Sequence, residues 1–264
     1  MSVACGGDLL RGSSPGVSSG SSNASGSSST FLVRGDVWPV LLDVAGRRVP
    51  NHYTALLELA GETPETAQQI EKDLPRTFSG RKELVKGSPM WESLKRVLTA
   101  FAAHNAAIGY VQSMNFLAAF LLLAGVKEDD AFWCLVIVVE DIVPGYFDEG
   151  MLAAKMDQRI FAELLHDNLP ALGLHLAALG PDNIICGIIA SQWLLTLFVH
   201  ALPDAVTVRL WDFLLKEKSR RVLFAACLAV LEPHTDSILA TSEMGECIEL
   251  LQVLGRRTEE GAFV

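Results

Sequence analysis

Two residues in this 264-residue chain stand where a side chain can be offered to a partner. Arg76 follows Asp73-Leu74-Pro75. Pro75 must end a helix that reaches it, because proline drives the preceding residue out of the helical region. A guanidinium just past a helix end can project outward, with a permanent charge and several fixed donors. The same position admits a plainer reading, a cation at a C-terminal dipole with a surface ion pair to Asp73. Gln112 lies in Gly109-Tyr110-Val111-Gln112-Ser113-Met114-Asn115. Gln112 and Asn115 are three apart, the spacing of one helix face. A buried helix with a glutamine at its open end can hold a water or a peptide group. Alternatively, the two amides only cap that helix.

The elements that position these residues read as helices. Thr63-Pro64 is a helix start, with threonine as N-cap and proline at the first position. That helix runs through Ile70 and Asp73 to its stop at Pro75. Gln112 to Ala124 is a second helix, apolar on nearly all sides and therefore a core element, closed by Gly125. Further helices are expected at Tyr53 to Leu59, Met90 to Ala103, Asp129 to Val143, Met151 to His166, Pro181 to Ala201, Ala205 to Lys216, Arg221 to Leu231 and Glu243 to Leu254. Leu135 to Val139 and Ile184 to Ile189 are rich enough in isoleucine and valine for strands, and their long helical flanks favour helix. Trp38, Trp193 and Trp211 read as core anchors.

Composition narrows the function. With 31 acids against 21 bases the net charge is -10, which argues against a nucleic-acid binder. One local stretch differs: Lys72, Arg76, Arg81, Lys82, Lys86, Lys95 and Arg96 crowd into a short span. It either attracts an anion or forms a solvated face. The five cysteines are far apart and form no CxxC pair, so neither a disulfide framework nor a zinc site is expected. No run reaches the roughly 18 apolar residues that span a bilayer, and no signal-peptide core precedes residue 30. No phosphate loop, GxGxxG or HExxH motif is present, so no cofactor and no metal are expected. Residues 1–30 form a Ser/Gly-rich tail expected to be disordered, and structure is expected to begin near Phe31.

Three stretches together resemble the TBC-domain family of Rab GTPase-activating proteins. Ile70-Glu71-Lys72-Asp73-Leu74-Pro75-Arg76 is similar to the IxxDxxR motif. Gly109-Tyr110-Val111-Gln112-Ser113-Met114-Asn115 is similar to GYxQGMN. Arg209-Leu210-Trp211-Asp212-Phe213-Leu214 is similar to RxWDxFL. Arg34-Gly35-Asp36-Val37-Trp38 and Trp193-Leu194-Leu195-Thr196-Leu197-Phe198 agree in order and spacing. Ser113 departs from the pattern, standing where the family usually has glycine.

The resemblance implies an all-α, TBC-type domain of two packed helical subdomains over residues 31–235, with residues 236–264 as a helical extension or its end. It implies that Arg76 and Gln112 are catalytic fingers supplied in trans to a Rab in its GTP-bound form. Ile70, Asp73, Tyr110, Ser113 and Asn115 are then supporting or partner-binding residues. Asp73 orients Arg76, and Tyr110 serves packing or partner contact. The expected location is cytoplasmic, with membrane association only through the Rab. The competing reading is a TBC-like scaffold that binds a GTPase or trafficking complex without stimulating hydrolysis, and Ser113 is the feature that favours it.

Overall fold

The computed structural model describes residues 34–59 and 64–257. The N-terminal tail, the start at Phe31 and the Thr63 cap lie outside the described residues. Every regular element among the described residues is helical, so the architecture is all-α. In chain order the helices are α1 Trp38–Leu42, α2 Val44–Arg47, α3 His52–Leu59, α4 Pro64–Asp73, α5 Pro89–His104, α6 Met114–Leu123, α7 Glu128–Ile137, α8 Leu152–Asn168, α9 Pro170–Leu179, α10 Ile184–Leu195, α11 Asp204–Glu217, α12 Arg221–Leu231, α13 Thr235–Leu239 and α14 Met244–Leu254.

Contacts gather these helices into two groups. In the first, α5 packs on α3, α4, α6 and α7. In the second, α8 packs on α9, α10 and α12, and α14 closes on α10. Helix α1 joins them, touching α7 on one side and α11 on the other. The junction is aromatic. Trp38 and Trp211 lie 5.5 Å apart by ring centroid, and Phe120 of α6 sits 5.0 Å from Trp211. All three are essentially inaccessible to water. Asp212 locks the same junction at its edge, accepting from Trp38 Nε1 at 2.9 Å and from both Nε and Nη2 of Arg34 at 2.8 Å.

Local sequence explains the helices that carry the site. In α5 the Ser88 hydroxyl accepts from the Trp91 amide at 3.2 Å, Pro89 takes the first turn, and Leu94, Val97, Leu98 and Phe101 form the buried stripe. This is N-capping followed by an apolar face at helical spacing. Helix α6 has no such stripe: from Met114 to Leu122, only Phe116 is not fully buried. It is the central strut against which α5 and α7 pack.

The structure decides the two ambiguous runs in favour of helix and corrects several boundaries. Both isoleucine- and valine-rich runs are helical. Leu135 to Val139 lies in α7 and in the π-turn Val138–Ile142, and Ile184 to Ile189 lies in α10. The expected helix from Pro181 to Ala201 is broken at both ends. Asp182 and Asn183 have positive φ before α10, and Leu197 and Phe198 have positive φ after it. Left-handed residues cannot continue a right-handed helix. Helix α9 was not anticipated, although Pro170 at its first position is a start signal.

The second group also departs from one expectation about membranes. Phe116 to Val126 is too short to span a bilayer, but Arg221–Leu239 is a 19-residue helical run with hydropathy 1.4. Its length is hidden in the sequence by Glu232-Pro233-His234, which forms a 3-10 turn between α12 and α13. By length and composition it could cross a membrane, a test that buried helices of folded domains also pass. Leu223, Cys227, Val230, Leu231 and Ile238 turn one face of it into the core.

Candidate functional site

Arg76 is the last residue of a short 3-10 turn, Leu74–Arg76, that follows α4 directly. Pro75 shapes that turn, and Leu74 plugs the core beneath it. The Arg76 side chain is 53% exposed, while Asp73 beside it is 0% exposed. Its guanidinium donates to Asp73 Oδ1. A fully buried carboxylate thus grips one edge of the guanidinium, and the rest faces solvent. Ile70, one turn earlier, is completely buried. It anchors α4 from inside the core and leaves no surface for a partner.

Gln112 is not on a helix. Helix α6 begins at Met114, and Gln112 lies in the turn before it. The cause is Ser113, whose φ of 93° lies far outside the helical region. Gln112 and Asn115 therefore do not share a helix face, which corrects the spacing argument. Gln112 is exposed. Asn115 is fully buried and turns inward.

The two turns are tied together by one buried chain of hydrogen bonds. Tyr110 donates its hydroxyl to Asp73 Oδ2 at 2.7 Å. The Thr77 hydroxyl donates to the Asp73 carbonyl at 2.8 Å. Asn115 Nδ2 donates to Thr77 Oγ1 at 2.7 Å, and Asn115 Oδ1 accepts from the Ser113 amide at 3.1 Å. The residue after Arg76 and the residue after Gln112 are thus bridged by a single asparagine. Each buried polar atom in this chain has a partner, and a satisfied network of this kind fixes geometry. Burial, then the bond to Asp73, pushes the Tyr110 phenol well above its ordinary range, so it stays a donor.

Thr77 escaped the sequence reading, and Tyr110 was given only packing or partner contact. Thr77 sits 38 residues from Asn115, a pairing that no local pattern reveals. The signal available was a small hydroxyl directly after the arginine, facing a motif that ends in asparagine.

The basic stretch is largely neutralised. Arg81 pairs with Asp204, Lys95 with Glu71 at 2.5 Å and Arg96 with Glu128 at 2.7 Å. Lys72, Lys82 and Lys86 remain exposed. Among the described residues no group of three or more histidine, cysteine or acidic side chains is placed to hold a metal ion. Cys134, Cys186, Cys227 and Cys247 are buried free thiols. Burial pushes Cys186 up to about 11.

Comparison with known proteins settles the family. The model of the Rab-GTPase-TBC domain matches residues 32–239. The chain belongs to the TBC-domain family. Growth hormone-regulated TBC protein 1 of Homo sapiens is 34% identical over 237 residues, covering 88% of this chain and 67% of that protein. TBC1 domain family member 2A of Bos taurus is 36% identical over 220 residues, 82% of this chain but only 23% of its own length. The chain thus spans about two thirds of one TBC relative and under a quarter of the other. The crystal structure of the Chlamydomonas flagellar RabGAP TBC domain superposes with a TM-score of 0.73 at 27% identity, covering 87% of this chain and 77% of that one. The Ypt/Rab-GAP domain of Gyp1p superposes with a TM-score of 0.72 at 22% identity, covering 88% and 85%. The second likeness concerns the TBC fold alone.

Proposed function

We propose that this TBC domain stimulates GTP hydrolysis by a Rab-family GTPase in its GTP-bound form, with Arg76 and Gln112 supplied in trans. One observation carries the reading. The two exposed side chains emerge from turns joined through the same buried Asp73–Thr77–Asn115 chain. Fingers that must act together on one reacting group need a shared rigid base, since reaction rates fall steeply with small misplacements.

The chemistry needs these two residue types. The nucleotide and its magnesium belong to the GTPase. Phosphoryl transfer then asks for positioning and for neutralisation of charge spread over the transferred group. Arg76 brings a planar, permanently charged fork, already held at one edge by Asp73 so that little freedom remains to be lost on docking. An arginine supplied in trans is worth about 10³–10⁵ in rate, roughly 4–7 kcal/mol. Gln112 is a neutral amide with both a donor and an acceptor, suited to orient the attacking water. Association with membranes would follow from the Rab.

Ser113 favours a second reading, a scaffold that binds its GTPase without accelerating it. A side chain at φ 93° next to Gln112 is strained and adds bulk at the point of contact. A panel of purified GTP-loaded Rabs, assayed for phosphate release, separates the two. Stimulation of at least one Rab that is lost in Arg76→Lys supports the catalytic reading. Binding without stimulation across the panel supports the scaffold.

A further inference from the structure

The polar chain under the two turns has an aromatic counterpart above it, and the third member comes from a distant part of the chain. Phe78 lies two residues after Arg76, and Phe116 lies in the first turn of α6, four residues after Gln112. Their rings meet edge to face with centroids 5.7 Å apart. His200 completes the group. Its imidazole stacks on Phe78 at 5.4 Å and 29° and stands edge-on to Phe116. The two pairs that Phe78 makes, at 5.7 and 5.4 Å, are of the kind that is favourable beyond the area covered.

His200 is presented by an unusual loop. Leu197 and Phe198 both have positive φ, as does Phe78. For bulky residues these are genuine outliers that persist only when the surroundings hold them. Here the core does so. Trp211 Nε1 donates to the Leu197 carbonyl at 3.1 Å, the Phe198 amide donates to the Trp193 carbonyl at 2.8 Å, and the Phe198 ring lies 5.5 Å from Trp193. The outcome of this strain is that one exposed side chain, His200, is delivered against both candidate finger turns. Strained backbone gathers at functional sites because it serves presentation there.

We infer that His200 is a positioning residue, the outer clamp that fixes the Arg76 turn and the Gln112 turn relative to one another. The inference rests on the reading of Arg76 and Gln112 as fingers, but its geometric content can be tested without a GTPase. With the imidazole removed, Phe78 and Phe116 lose their common neighbour, and only their own edge-to-face contact and the polar chain still join the turns.

The test uses the whole chain and two variants, His200→Ala and His200→Phe. Amide hydrogen exchange is followed at Arg81, which donates to the Phe78 carbonyl at 2.8 Å, and at Ser113, which donates to Asn115. In His200→Ala both amides exchange faster than in the wild type while core amides of α6 do not. In His200→Phe, which keeps the ring contacts, they return toward wild-type rates. With a responsive Rab, His200→Ala lowers the saturating single-turnover rate by at least about tenfold, since a misplacement of about 1 Å can cost about 10²-fold. The half-saturating concentration stays unchanged, and His200→Phe recovers the rate. Unchanged exchange at Arg81 and Ser113 overturns the inference. So does a uniform acceleration that includes α6, which makes His200 a general packing residue, and so does weaker binding at an unchanged rate, which makes it a partner contact. If no Rab responds to the wild type, the finger reading fails on that arm while the exchange result still decides the clamp.

Discussion

Tyr110 and Arg76 meet on the same carboxylate: Asp73 accepts from the phenol through Oδ2 and from the guanidinium through Oδ1. The aspartate is fully buried, and both oxygens are taken. One consequence is that the arginine turn and the glycine-led turn are read by a single ionised group. Removing either donor leaves a buried charge short of a partner, which costs more than the bond was worth in water.

Tyr110→Phe is therefore expected to lower stability by about 1.5–3 kcal/mol, the usual worth of a hydrogen bond to a charged group. Arg76→Ala should cost less, about 1 kcal/mol, because half of Arg76 is in water and solvent screens its charge. Arg76→Lys keeps a cation near Asp73 and should hold stability while losing the fork. Denaturant melts of the three variants check this order. Equal melts for Tyr110→Phe and the wild type would show that Asp73 is satisfied in some other way.

Ser113→Gly is expected to stabilise the protein by about 1 kcal/mol, since glycine adopts φ 93° without the steric cost that an L side chain meets there. The gain should appear as a higher thermal midpoint. Under the catalytic reading activity stays level or rises as well, because bulk beside Gln112 is removed. A lower midpoint would mean that the serine side chain contributes a contact that outweighs the strain.

That position shows where sequence reasoning stopped. The apolar stretch from Phe116 onward is legible as a core helix because its composition forces burial. The Asp73–Arg76 pair is legible because the two lie one turn apart, with Pro75 closing the helix. The start of α6 at Met114 is not, since it depends on the φ of one serine. Asn115 looked like a partner to Gln112 by spacing, yet it turns the other way to reach Thr77. His200 carries no local signal at all, because its place is set by the Leu197–Phe198 turn, whose strain depends on tryptophans at 193 and 211. Contacts made across long sequence separations decide these cases.

Trp211→Ala tests that dependence. The ring is completely buried and bonded to the Leu197 carbonyl, so truncation is expected to cost about 3–5 kcal/mol. Beyond the global loss, the variant should expose the loop that carries His200, and limited proteolysis should cut first between residues 196 and 203. Cleavage elsewhere, with this loop intact, would show that Trp211 does not hold it.

Acidification should destabilise the fold through two histidines. Desolvation of the imidazole where it packs against Phe78 and Phe116, with Arg256 adding to it, holds His200 below its ordinary value, and burial does the same for His104. A histidine whose folded value is depressed binds its proton more readily when unfolded, so stability rises with pH across that window. The contribution is complete above about pH 6.5, the unfolded value, and is lost as pH falls through the depressed folded values. Proton NMR titration should place both imidazole midpoints below about 6.5. A midpoint above that for His200 would contradict its packing between Phe78 and Phe116.

Whether Arg76 and Gln112 act together on the reacting phosphate, as proposed, is tested most directly by affinity for a transition-state mimic. A Rab bound to GDP with aluminium fluoride presents the charge and shape that the fingers should recognise, whereas the same Rab with GDP alone does not. Interactions that speed a reaction are those stronger in the transition state than in the ground state. The aluminium fluoride complex should bind markedly more tightly, with the difference abolished in the double variant Arg76→Ala, Gln112→Ala. Equal affinity for the two nucleotide states across a broad Rab panel, or a preference that survives the double variant, would contradict the proposed joint action.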